Sequence, residues 1–136
     1  MKVLLVDDDE AIRKIGKLSL ERIGHFEVWV ADGAQAALAC ARENMPDLIL
    51  MDMMMPDMDG LQALASLKSE PKLCNIPVIF ITARVQHYEI SEYLAAGAMG
   101  TIQKPFDPLT LPQTILDILK KPNKAETNDT QSKETI

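Results

Sequence analysis

LILMDMMMPDMDG, residues 48–60, begins as an unbroken apolar run and turns abruptly acidic. Leu48, Ile49 and Leu50 lack the polar alternation of a half-solvated strand, so they read as a strand buried on both faces. Asp52 stands at its exit, Asp57 and Asp59 follow within the next seven residues, and Gly60 closes the stretch. An acid so close to a core is costly unless it is paired, bound or used. The segments on either side decide which.

Working outward, the pattern of short apolar run and longer helical stretch repeats. Residues 3–6 read as a fully buried strand, 26–30 as a second, 48–51 as the third, and 78–81, entered through Pro77, as the fourth. Residues 99–102 make a weak fifth. Between them, helical patterns cover 9–24, 33–44, 61–67 and 86–96, the last stopped by Gly97. Ala34, Ala37, Leu38 and Ala41 show the i, i+3, i+4, i+7 spacing of a helix face. Leu111, Ile115, Ile118 and Leu119 mark a final helix ending near Lys120 and Lys121, where cations suit the terminal carbonyls. Asp107-Pro108 could cap its start, but Pro112 would then remove an interior hydrogen bond. Thr110 with Gln113 forms a capping-box pattern that keeps Pro112 in the first turn, favouring the later start or a distorted first turn.

Five such units imply an α/β fold: a doubly wound five-stranded parallel sheet of the flavodoxin-like kind, strand order 2-1-3-4-5. Residues 1–121 form the expected domain. The tail 122–136, PNKAETNDTQSKETI, has no apolar residue between Ala125 and Ile136 and is expected to be disordered.

The chain has 136 residues, 47% apolar and 25% charged, a balance that suits one soluble domain with a proper core. The net charge of −6 argues against a nucleic-acid partner. Residues 1–68 carry 7 basic and 12 acidic groups against 7 and 8 in residues 69–136, so the excess acid lies in the half containing Asp52. Cys40 and Cys74 lack metal-ligand spacing, which points to a reduced, cytoplasmic protein. MKVLLVDDD is not a signal peptide, and no apolar run approaches membrane-spanning length.

In doubly wound sheets, ligands bind beyond the carboxyl ends of the strands where the strand order reverses. Those ends offer Asp7-Asp8-Asp9, Asp52, Thr82-Ala83 and, after strand five, Lys104-Pro105-Phe106. Strands one and three flank the reversal, so their acids should meet although 44 residues separate Asp8 from Asp52. Grouped oxygen ligands without Cys or His suit Mg²⁺, and a lysine with a hydroxyl suits a phosphoryl group. Three carboxylates, one Mg²⁺ and one lysine sum to zero charge. Taken singly, each residue has an ordinary role: Asp9 as a helix cap, Asp52 as a turn former, Thr82 as a helix start, Lys104 as a solvated cation. Met51, Met53, Met54, Met55 and Met58 pack or line a loop, and His87 and Tyr88 read as surface residues. Four strand ends each carrying the right group outweigh these separate explanations.

With those residues in place, the chain resembles the receiver domain of two-component response regulators, of the stand-alone, chemotaxis-regulator-like kind. The matching segments are VLLVDDDEAIR (3–13), LILMDMMMPDMDGLQAL (48–64), VIFITA (78–83) and GAMGTIQKPF (97–106). The resemblance implies that Asp52 accepts a phosphoryl group from a histidine kinase, a phosphotransfer protein or a small-molecule donor. It implies that Asp7, Asp8, Asp52 and the Met54 backbone carbonyl hold Mg²⁺ (or Mn²⁺), and that Thr82, the Ala83 N–H and Lys104 hold the phosphoryl oxygens. It also implies a cis Lys104–Pro105 bond, a loop shaped by Gly60 and the Pro56-Asp57 turn, and output through protein–protein contact. Asp57 and Asp59 are then loop and helix-start acids rather than ligands. Met54 and Arg84 fall where family members tune phosphorylation lifetime, Met54 by restricting water and Arg84 by attracting anionic donors.

One position departs from the family pattern: Thr101 stands where many receivers carry a switching aromatic, which leaves any switch to another side chain such as Tyr93. A constitutive pseudo-receiver, an interaction module that is never phosphorylated, is the alternative this departure favours. A phosphate sink without output is a variant of the main reading. A flavodoxin-type cofactor binder would want a Gly- and hydroxyl-rich loop after strand one, where this chain places three acids. No DNA-binding helix pair or cyclase segment follows the domain, as expected of a stand-alone receiver or of one cut from a longer protein.

Overall fold

A computed structural model describes residues 1–83 and 87–120; Arg84 and the expected tail 122–136 lie outside the described residues, as do the side chains of His87 and Tyr88. The elements are β1 (Lys2–Val6), α1 (Glu10–Arg22), β2 (Glu27–Ala31), α2 (Ala34–Asn44), β3 (Leu48–Asp52), α3 (Gly60–Lys68), β4 (Val78–Thr82), α4 (His87–Ala95), β5 (Gly100–Gln103) and α5 (Leu111–Lys120). One parallel sheet runs β2-β1-β3-β4-β5, the expected order.

Burial explains which strands were easiest to recognise. Every residue of β3 and β4 is buried, and β1 is buried after its first residue, because helices cover both sheet faces. Alternation along the strands divides the core in two. Leu4, Val6, Ile49, Met51 and Phe80 face α2, α3 and α4, against Ala37, Ala41, Leu64 and Tyr93. Val3, Leu5, Leu48, Leu50, Ile79 and Ile81 face α1 and α5, against Leu20, Leu111 and Ile115. The edge strands β2 and β5 start one residue later than the sequence suggests. β5 has a single buried residue, Ile102, which accounts for its weak signal.

The register positions the chemistry. Val6 pairs with Met51, so the next residues, Asp7 and Asp52, leave the sheet side by side. Asp52 pairs with Ile81 and Thr82 with Gln103, which sets Lys104 just beyond the same edge.

The starts of α1 and α3 are fixed by acids. Asp9 Oδ1 accepts from the Ala11 N–H at 2.9 Å and caps α1. Asp59 caps α3 in a reciprocal box: its carboxylate accepts from Gln62 N at 2.8 Å, and Asp59 N donates to Gln62 Oε1 at 3.0 Å. Asp59→Ala removes this cap, and an expected loss of about 1 kcal/mol would appear as a lower urea midpoint at unchanged slope.

α5 begins at Leu111, the later of the two expected starts, but not through the expected capping box. Thr110 Oγ1 donates to the Asp107 carbonyl at 3.4 Å, and Gln113 Nε2 donates to Asp117 Oδ1 at 2.9 Å. The turn is built by Asp107 instead, whose carboxylate accepts from Leu109 N and whose carbonyl accepts from Leu111 N, both at 2.9 Å. Pro112 then falls in the first turn, where its missing N–H is harmless. α1 stops at Arg22, short of Gly24, because the chain turns at His25 with φ of 58°.

Candidate functional site

Asp7 is fully buried at the end of β1. Its Oδ1 accepts from the Asp9 N–H at 2.9 Å, while Oδ2 lies 2.8 Å from Lys104 Nζ with no hydrogen bond aligned on it. Lys104 Nζ also lies 3.4 Å from Asp52 Oδ1. Asp52 is buried, and the same Oδ1 has one long backbone contact, the Met54 N–H at 3.4 Å. Asp8 is exposed, yet it completes a trio with Asp7 and Asp52 in which one carboxylate oxygen from each lies within 4.8 Å of the others.

Among the described residues, one ammonium therefore contacts two carboxylates of a cluster of three. Burial first, and then the Asp7 charge, push the Asp52 carboxyl above its ordinary range; Lys104 and the Met54 N–H oppose this without cancelling it. Burial alone would lower Lys104, but its contacts with Asp7 and Asp52 outweigh that and raise it. The three carboxylates and Lys104 carry a net charge of two negatives, and Asp7 keeps a buried oxygen without an aligned donor. An all-oxygen donor set with that deficit fits a hard divalent cation such as Mg²⁺ or Mn²⁺.

The remaining expected residues lie around this centre. Thr82 is buried at the end of β4, its carbonyl accepting from Lys104 N at 2.9 Å, and Ala83 follows it on the surface. The Lys104–Pro105 peptide is cis. Gly60 is required sterically: a Cβ there would meet Met53 Sδ at 2.8 Å and Phe80 Cε1 at 2.9 Å. Met51 and Met53 are core, Met55 and Met58 pack partly against it, and Met54 is 73% exposed beside Asp52. Thr101 is half-buried and pairs with Phe80, whose ring meets Tyr93 edge-on at 5.4 Å. Tyr93 is thus a core residue of α4.

Two contributions escaped the sequence. Arg13 Nη1 donates to the Asp7 carbonyl at 2.8 Å, bracing the acidic loop from α1. Asp57 accepts from Ala34 N at 3.1 Å and Gln35 N at 2.9 Å, capping α2 from a different loop. These backbone donors, Gln35 foremost, hold the Asp57 carboxyl below its ordinary range. The available signal was Gly33, which precedes α2 and supplies no capping side chain.

Among the described residues, no helix is long and apolar enough to cross a membrane. The family model of the response regulator receiver domain matches residues 3–116. Chemotaxis protein CheY-3 of Vibrio cholerae serotype O1 is 33% identical over 121 residues, covering 89% of this chain and 93% of that protein. Response regulator Rre1 of Synechocystis is 32% identical over 121 residues, but these are 52% of its length. The chain spans about half the length of the curated relatives it matches first. The solved structure of CheY4 of Vibrio cholerae superposes with a TM-score of 0.80 at 32% identity, covering 86% of this chain and 97% of that one. A doubly wound sheet, an acid trio at its order reversal and a family match across nearly all the described residues agree: this chain belongs to the response regulator receiver domain family.

Proposed function

We propose that this receiver accepts a phosphoryl group on Asp52 in a Mg²⁺-dependent reaction and signals by protein–protein contact. The observation that carries the proposal is the Lys104 ammonium held between Asp7 and Asp52, at 2.8 and 3.4 Å, beside a third carboxylate. Asp7, Asp8, Asp52 and the Met54 carbonyl are the proposed metal ligands. When bound, Mg²⁺ supplies positive charge that offsets the phosphoryl oxygens.

The chain's own residues do the rest. An ionised Asp52 oxygen attacks phosphorus in line; the new O–P bond forms as the bond to the donor breaks, and the donor leaves with the electron pair. Lys104 turns its charge to the transferred oxygens, while Thr82 and the Ala83 N–H supply directed hydrogen bonds. Phosphoryl transfer asks mainly for positioning and charge, and a site at the ends of rigid strands provides both. The protein acts as a signalling domain whose chemistry is limited to its own phosphorylation and dephosphorylation.

The proposed donors are a histidine kinase, a histidine phosphotransfer protein or a small molecule, and residues 1–121 the acting domain. The acidic balance speaks against nucleic-acid binding by this domain, and cysteine use favours the cytoplasm. Thr101 keeps the constitutive interaction module in view as the second reading. Incubation with Mg²⁺ and phosphoramidate, followed by intact mass measurement, separates the two. Gain of one phosphoryl group, only with Mg²⁺, supports the receiver; no gain, with beryllofluoride also failing to bind, supports the interaction module.

Met54 is assigned to guard the phosphorylated carboxylate from water. Met54→Asn should speed dephosphorylation several-fold in a phosphate-release assay, and an unchanged rate would remove the assignment. Arg84, by resemblance alone, is assigned to attract anionic donors.

A further inference from the structure

We propose that Asp57 is a positioning residue for the metal site, clasping the β3–α3 loop to the start of α2 so that the Met54 carbonyl is held towards Asp7, Asp8 and Asp52. The inference rests on the metal-binding reading above and deepens it.

The loop is tied at both ends to its own elements. Met53 N donates to the Ile81 carbonyl at 3.0 Å, Gly60 N donates to the Met53 carbonyl at 2.8 Å, and Asp59 closes its box with Gln62. Between these ties, the hydrogen bond described for residues 54–56 is the long one from Met54 N to Asp52 at 3.4 Å. The stretch carrying the proposed carbonyl ligand is thus weakly held from within. Its outward anchor is Asp57, with both carboxylate oxygens engaged: Oδ1 to Ala34 N and Oδ2 to Gln35 N.

The partner surface is shaped for this contact. The cap residue of α2, Gly33, offers no side chain, whereas α1 and α3 are capped locally by Asp9 and Asp59. A Cβ at Gly33 would come within 3.1 and 3.3 Å of the Asp57 oxygens and crowd the carboxylate. The φ of −171° at Gly33 is extended and open to any residue, so the glycine there makes room for the clasp. A local cap at Gly33 would serve α2 equally well. The borrowed cap also joins the loop to the body of the fold, which a local cap would not.

That difference gives the test. The 136-residue chain is titrated with Mg²⁺ by calorimetry, and its melting temperature is measured, for wild type, Asp57→Ala and the double variant Asp57→Ala/Gly33→Asp. Loss of the clasp should weaken Mg²⁺ binding about tenfold, the lower end for loss of an outer-shell partner. It should lower Tm by about 3–6 °C through the lost cap. Gly33→Asp in that background returns a cap to α2 and the same charge to nearly the same place. Tm should then recover while Mg²⁺ binding stays weak. Asp57→Asn, which keeps one acceptor oxygen, should fall between wild type and Asp57→Ala in affinity. Affinity that is unchanged in Asp57→Ala, or that recovers together with Tm, would reduce Asp57 to a helix cap and overturn the inference alone. A wild-type protein that binds no Mg²⁺ would overturn the metal reading, and the clasp with it.

Discussion

Replacing Asp52 with Asn is expected to abolish phosphoryl uptake and, at the same time, to raise the melting temperature of the metal-free protein by several degrees. Both effects have one origin. Asp52 is buried, within reach of the Asp7 charge, and its carboxyl is pushed above the ordinary range. An acid that holds its proton more tightly when folded contributes stability that is present below the unfolded carboxylate value, about 3.9. That contribution is lost as pH rises through the raised folded value. At neutral pH the ionised Asp52 therefore destabilises the fold, and Asn relieves it without a change of shape. A pH series of thermal melts checks this: wild type and the Asn variant should melt alike at low pH, and the wild type should fall behind as pH rises towards neutrality. Mg²⁺ should raise the Tm of the wild type more than that of the variant, since binding to the native state stabilises it by mass action. On the proposed reading, function depends on a group that burdens the unliganded fold, a common trade at active sites.

Lys104→Ala should do the reverse in stability and the same in function. Asp7 is fully buried and Asp52 nearly so, and among the described residues Lys104 is the cation that reaches both. Its removal leaves two adjacent buried carboxylates facing each other. The expected loss is about 3 kcal/mol, the lower end for breaking a buried ion pair, because the lysine side chain keeps 21% exposure. The contacts that raise Lys104 add stability on the acid side of its ordinary value near 10.4 for as long as its carboxylate partners are ionised, so the loss should be present at neutral pH. Chemical denaturation measures it. A second substitution, Asp7→Asn, in the Lys104→Ala background should restore much of the lost stability, since residues in contact couple in a double-mutant cycle. It should not restore phosphorylation.

The sequence carried the frame of the fold well where burial was two-sided. β1, β3 and β4 are continuous apolar runs because helices cover both faces, and their ends place Asp7, Asp52 and Thr82 at one edge. β5 was faint because Gly100 and Thr101 sit half-buried on an edge strand. The start of α5 was placed correctly on the strength of Pro112, but the capping device was misassigned. Thr110 and Gln113 have the spacing of a box, yet Asp107 competes for the same turn from outside the pattern. The acid trio was legible because strand order alone brings Asp8 to Asp52. The Asp57 clasp was not, because its donors Ala34 and Gln35 lie more than twenty residues away and offer only backbone N–H groups, which have no sequence signature. Arg13 was hidden for a related reason: its target is the carbonyl of Asp7 rather than its side chain.

The central claim is that Asp52, among the clustered acids, is the nucleophile. The most direct measurement is to phosphorylate the protein with phosphoramidate and Mg²⁺, reduce it with borohydride, and map the product by peptide mass spectrometry. Reduction of an aspartyl phosphate leaves homoserine at the residue that carried it. Homoserine at position 52, dependent on Mg²⁺, is the predicted result; homoserine at position 7, 8 or 57, or none anywhere, would contradict it.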